Sequence, residues 1–135
     1  MKTLLRLGLA FALAALPAAA LAATSVTQVP NCTTAAYKPK RLVLACGDGS
    51  EYLAKLKWSR WTATNAMAAG MDEVNNCTPD CVKGRFKGYP VTVTLSRPRR
   101  CKSVKGHEVF GRIVLKYSDA HPGPKPTNTE SLPCP

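Results

Sequence analysis

Cys77 and Cys81 enclose the short segment Thr78-Pro79-Asp80. Two thiolates at such a spacing are half of a structural zinc site, which needs a second pair or two histidines at a set spacing. His107 and His121 do not supply that spacing, so neither a metal nor a cofactor is expected. Asp48 and Glu51 flank a glycine turn but lack the regularly spaced oxygens and closing Glu of a calcium loop. Asp48 reads as a turn residue. Asp72, Glu73 and Asp80 are the other clustered acids. Paired carboxylates hydrolyse glycosides when held at a defined separation, whereas acids in a Gly/Asn-rich loop are ordinarily just solvated. His107, Glu108 and Arg112 carry the residue types of a ribonuclease-like acid–base site, but a charged surface loop is the usual home of an idle histidine. No G-x-S-x-G nucleophile elbow is present. The reading is of a protein that is not an enzyme, with a small hydrolase of unrecognised site as one alternative.

Binding chemistry is better represented. On a strand with period-two alternation, Lys55, Lys57 and Trp61 share one face, and Trp58 shares the opposite face with Leu56. An aromatic beside cations is what carbohydrate and single-stranded nucleic-acid platforms use. Cover by the N-terminal arm is the competing expectation for Trp61. Lys83, Arg85 and Lys87 alternate as well. Arg97, Arg99, Arg100, Lys102 and Lys105 crowd the stretch after an alternating run. Together the two groups are expected to make one basic patch.

These cations belong to a basic chain of formal net charge +11. Its start reads as a secretory signal: Met1, Lys2 and Arg6, then an apolar run from Leu7 to Leu16, then Pro17 and small residues ending in Ala20-Leu21-Ala22. The apolar run is too short to span a hydrocarbon core of ~30 Å, so cleavage is expected, with no membrane insertion afterwards. No cysteine stands at the cut, so no lipid anchor is expected there. Cleavage after Ala22 leaves 113 residues and a net charge of +9. That is enough for one domain with a modest core, the kind that disulfides often reinforce outside the cytosol. All six cysteines lie beyond the cut. A strongly basic exported domain is drawn to anionic surfaces such as nucleic acid, lipid or cell-wall polymer.

The elements that must position these residues are short strands. Residues 23–40 read as an extended arm tied down by Cys32. Leu42-Val43-Leu44-Ala45 is a buried-strand run, and Gly47-Asp48-Gly49-Ser50 a hairpin turn. Glu51 to Trp61 alternates, with Tyr52, Ala54, Leu56 and Trp58 on one side. Thr62 to Met71 is read as a strand with close backbone packing at Gly70. Asn75 to Cys81 is dense in turn formers. Tyr89 to Ser96 and Glu108 to Ser118 alternate again, separated by a charged loop at 97–106. From Asp119 the chain is Pro-rich and poor in apolar residues, an extended tail. The division is therefore signal 1–22, arm 23–40, β domain 41–118 and tail 119–135. The fold expected is an all-β antiparallel sandwich or barrel of about 4–6 strands.

Several motifs recur together. Ala45-Cys46-Gly47-Asp48-Gly49, Trp58-Ser59-Arg60-Trp61, Asn76-Cys77-Thr78-Pro79-Asp80-Cys81 and Tyr89-Pro90-Val91 appear in this order. Over roughly Leu42 to Pro98 the chain resembles small secreted bacterial proteins, abundant in actinobacteria, whose role is uncharacterised. The resemblance implies export and a compact β domain, and brings no activity. Members often carry histidines just before the Y-P-V strand. Arg85 and Lys87 stand there in this chain, so a histidine-based role does not carry over. Cys101 and Cys134 lie outside the shared block. The resemblance therefore implies that they pair with each other, and that Cys32, Cys46, Cys77 and Cys81 pair among themselves. The leading expectation is an exported non-enzymatic domain adhering to an anionic polymer or envelope surface through Lys55, Lys57 and Trp61 or through Arg97, Arg99, Arg100 and Lys102. The other alternative is a secreted interaction or inhibitor module presenting the Cys77–Cys81 loop to a protein partner.

Overall fold

A computed structural model describes residues 26–135; the signal segment lies outside the described residues. The chain is all-β. Two short strands, β1 (Val29–Asn31) and β2 (Thr34–Ala36), form a hairpin within the arm. Six more form one antiparallel meander in chain order: β3 (Leu42–Val43), β4 (Glu51–Trp61), β5 (Asn65–Asn75), β6 (Phe86–Arg100), β7 (Glu108–Tyr117) and β8 (Thr127–Ser131). The inner face is set by register. Ala66, Leu95 and Ile113 lie in one row, and Ala68, Val93 and Leu115 in the next. All six are buried, as period-two patterning requires of a sheet with one solvated face.

β4 departs from simple alternation at two places. Between Ala54 and Lys57 two residues oppose the single Gly70, and Ser59 is an extra residue between Trp58 and Arg60. Each bulge inserts one residue and reverses the facing of the strand beyond it. Leu53 is thus inward before the first bulge, while Tyr52 pairs with Glu73 and faces out. After the first bulge Trp58 opposes Ala68, and after the second Trp61 opposes Ala66. The two tryptophans therefore share the inner face, against the expectation from strict alternation. Lys55 sits in the first bulge with φ of 53°. Gly70 is required there: a Cβ would lie 2.7 Å from the Ala54 carbonyl oxygen.

The arm is part of the fold. Gln28 bridges Val109 in parallel, with Gln28 N–H donating to the Glu108 carbonyl and Phe110 N–H donating to the Gln28 carbonyl, both at 2.9 Å. Val29 is fully buried against the core. The tail also belongs to the sheet. Its polar segment Thr127–Ser131 pairs with Arg112–Lys116 as β8, and Leu132 is buried beyond it. Two other boundaries move. The run expected as a four-residue strand contributes only Leu42–Val43 to the ladder, and Arg97 to Arg100 end β6 rather than open a loop.

Cys32 is bonded to Cys46, Cys77 to Cys81 and Cys101 to Cys134, so no described cysteine is free. Three disulfides fit an oxidising compartment. No helix among the described residues is long and apolar enough to cross a membrane.

Candidate functional site

The outer face of the sheet carries cations in register. Lys57, Ala69, Thr92, Lys116 and Thr127 form one row across β4 to β8, and Arg60, Met67, Thr94, Val114 and Thr129 the next. Asn65, Ser96, Arg112 and Ser131 come after them. Lys57, Arg60 and Lys116 are exposed and Arg112 is half-buried. No acidic residue occurs in these three rows. Beyond them β6 runs on to Arg97, Arg99 and Arg100, all exposed, and to Lys102 and Lys105 in the loop after it. Glu108 pairs with Arg100. Arg99 is engaged by the tail, donating to the Leu132 carbonyl and to Cys134 Sγ.

The second basic group does not join the first. Lys83, Arg85 and Lys87 stand at the start of β6, and Arg97 to Arg100 at its end. Fifteen residues make up that strand, a span of about 45 Å at ~3.3 Å per residue.

Trp61 is no platform residue. Its indole N–H donates to the Thr27 carbonyl at 2.9 Å, and its ring packs edge-on against Tyr37, Trp58 and Phe110. Trp58 likewise donates to the Pro39 carbonyl. The arm therefore covers both rings. Of the residues expected to form the first binding group, Lys57 is on the outer face, Lys55 is in the bulge and Trp61 is beneath the arm.

At the other end of the inner face the acids collect. Asp72, expected as a solvated loop acid, is fully buried within β5. Its Oδ2 accepts a 2.6 Å hydrogen bond from the Tyr117 hydroxyl, and its Oδ1 is buried with no partner. Burial pushes the Asp72 carboxyl above the usual range, the Tyr117 bond opposing and Glu130 and Glu73 adding to the rise. Glu51 is pushed up to about 7, by burial first and then by Asp72 and Glu130. Tyr117 is raised too, by burial and by donating to Asp72.

A cavity of about 330 Å³ opens here, lined by Glu51, Val74, Tyr117, Pro122, Pro124 and Asn128 among others. Glu51 is on β4 and Asn128 on β8, four strands apart in the sheet order, so the sheet curls to bring them to one space. The tail folds back over it: Tyr117 N–H donates to the Pro126 carbonyl, and His121 Nδ1 lies 2.7 Å from the Gly123 carbonyl oxygen. Sequence alone weighs Glu51 only against a calcium loop, and does not weigh Tyr117 as a site residue. The signal was available for Asp72, which continues the inward series Ala66, Ala68, Gly70 as a charge at a core position.

The catalytic readings gain no geometry. His107 is half-buried with its Nδ1 unpartnered, and no group of three His, Cys, Asp or Glu among the described residues is arranged to hold a metal ion. At the base of the Cys77–Cys81 loop Asn75 clamps the backbone, accepting from Cys77 N–H and donating to the Cys81 carbonyl. Val82 beside it is 94 % exposed. No protein-family model matches this chain, and no curated protein or solved structure matches it.

Proposed function

We propose that this chain is an exported, non-enzymatic β domain that binds an anionic polymer of the envelope or extracellular space. The contact surface is the outer face, through Lys57, Arg60, Arg112 and Lys116, continued by Arg97, Arg100 and Lys102. Segregation of charge carries this reading. Glu51 and Asp72 lie on the inner face, and the three outer rows carry their cations with no acid among them. Threonine hydroxyls at Thr92, Thr94, Thr127 and Thr129 lie between the cations and can hydrogen-bond a polyol. The signal-like start, the three disulfides and the likeness to small secreted bacterial proteins support export.

Retention on immobilised dextran sulfate tests the proposal. The mature protein is expected to bind at low salt and to elute as salt rises, because counterion release and screening set such affinities. Neutral dextran should not retain it. The variant Lys57→Gln/Arg60→Gln/Arg112→Gln/Lys116→Gln should elute at clearly lower salt. Equal retention of that variant would overturn the assignment of the outer face.

A second reading has one observation behind it. Val82, next to the disulfide-closed Cys77–Cys81 loop, is almost fully exposed and offers an apolar contact to a protein partner. Partner capture insensitive to salt and abolished by Val82→Asp would favour it.

A further inference from the structure

The cavity between the sheet and residues 122–125 differs from the outer face in holding a carboxylate. Its lining is apolar at Val74, Pro122 and Pro124 and polar at Glu51, Tyr117, Thr127 and Asn128, with Lys125 at its rim segment. Its volume of about 330 Å³ falls in the range of small-molecule sites, roughly 300–1,000 Å³. Behind Tyr117, the fully buried Asp72 keeps one carboxyl oxygen without a partner, although buried polar atoms are ordinarily satisfied.

We propose that this cavity binds a small organic cation, an aliphatic amine whose ammonium meets Glu51 and whose carbon chain lies against Val74, Pro122 and Pro124. An ammonium offers three donors and a compact positive charge. It relieves the mutual repulsion of Glu51, Asp72 and Glu130, which no ligand of the dextran sulfate type can do. A metal ion is the poorer occupant because the acids are not grouped to ligate one. The proposal is independent of polymer binding by the outer face.

Proton linkage arises from the surroundings of Glu51. Asp72 approaches from β5, Lys87 lies in the same row on β6, Tyr117 is on β7 and Glu130 on β8, with Lys125 and His121 in the segment above, while Glu73 faces out beside Tyr52 and acts on Asp72. The Glu51 carboxyl, raised to about 7, is driven to ionise when an ammonium arrives. The carboxyl proton goes to the buffer, and no bond to the ligand is made or broken.

Titration calorimetry with n-pentylamine at pH 6.5, using n-pentanol as a neutral analogue, provides the test. Saturable amine binding is expected, with pentanol at least tenfold weaker. The heat should differ between phosphate and imidazole buffers by a fraction of one proton released. Glu51→Gln should weaken the amine at least tenfold while keeping the native tryptophan fluorescence, since it removes a charge the fold disfavours. A Val74→Phe variant that retains native fluorescence should also lose binding by filling the space. Absence of saturable amine binding, equal affinity for pentanol, or undiminished binding by folded Glu51→Gln would each overturn the proposal.

Discussion

Two side chains reverse the roles that their types suggest. Trp61 is an aromatic beside lysines in sequence, yet its indole holds the arm through Thr27 and packs on Phe110. Truncating a packed aromatic costs about 3 kcal/mol or more. Trp61→Ala is therefore expected to lower the unfolding midpoint sharply while leaving dextran sulfate retention of the folded fraction unchanged. Glu51 is the second case. Its folded-state carboxyl lies above the ordinary value of 4.5, at about 7. The neutral form is favoured by the fold, so this contribution is complete below pH 4.5 and is lost as pH rises through 7. Asp72 acts in the same direction through its burial. Thermal unfolding should show Tm falling between pH 5 and pH 8. Glu51→Gln should add roughly 1–2 kcal/mol of stability at pH 8, once screening of the half-buried group is allowed for, and so raise Tm there while changing it little at pH 4.5. A Tm that climbs with pH across this window would contradict the burial argument. The acid cluster was hard to see in sequence because Glu51, Asp72 and Glu130 are far apart along the chain and meet only when the sheet curls.

Strand alternation was legible where nothing interrupts it. Val91, Val93 and Leu95 on β6, and Ile113, Leu115 and Tyr117 on β7, are buried in the register that their spacing predicts. It misled in β4, where two bulges carry no residue that announces them: Lys55 takes a positive φ without being glycine, and Ser59 is simply an extra residue. The partner strand held the clue, since Gly70 stands opposite the first bulge. Gly70→Ala forces its new methyl against the Ala54 carbonyl and the Leu56 side chain. A loss of about 1–3 kcal/mol is expected from such overpacking, read as a lower denaturation midpoint. An unchanged midpoint would mean that β4 relaxes freely at Lys55. β8 was missed for a different reason. Its inward positions, Asn128 and Glu130, are polar, and polar alternation at a sheet edge resembles a solvated tail.

At the scale of the molecule, the all-β class and the separation of Cys101 and Cys134 from the other four cysteines were readable, and the integration of both termini into the fold was not. The arm docks by backbone bonds from Gln28 to β7, and the tail by β8 and the guanidinium of Arg99. Backbone docking leaves little trace in residue type. The Cys101–Cys134 bridge closes a span of 33 residues that contains β7 and β8. Cys101→Ala/Cys134→Ala should cost about 2–4 kcal/mol and should speed amide hydrogen exchange in Thr127–Ser131 ahead of the rest of the sheet. Uniform acceleration instead would show that β8 unfolds only with the whole sheet.

The same bridge fixes how the molecule would carry tension. A pull on the C-terminal end enters at Cys134 and crosses covalently to Cys101 at the end of β6. The strands between the two cysteines, β7 and β8, are bypassed and cannot be peeled away in sequence from that end. The load passes to β6, which is held to β5 by eleven paired residues. A pull on the tail therefore meets the long β5–β6 ladder before it can reach the short edge strand β8.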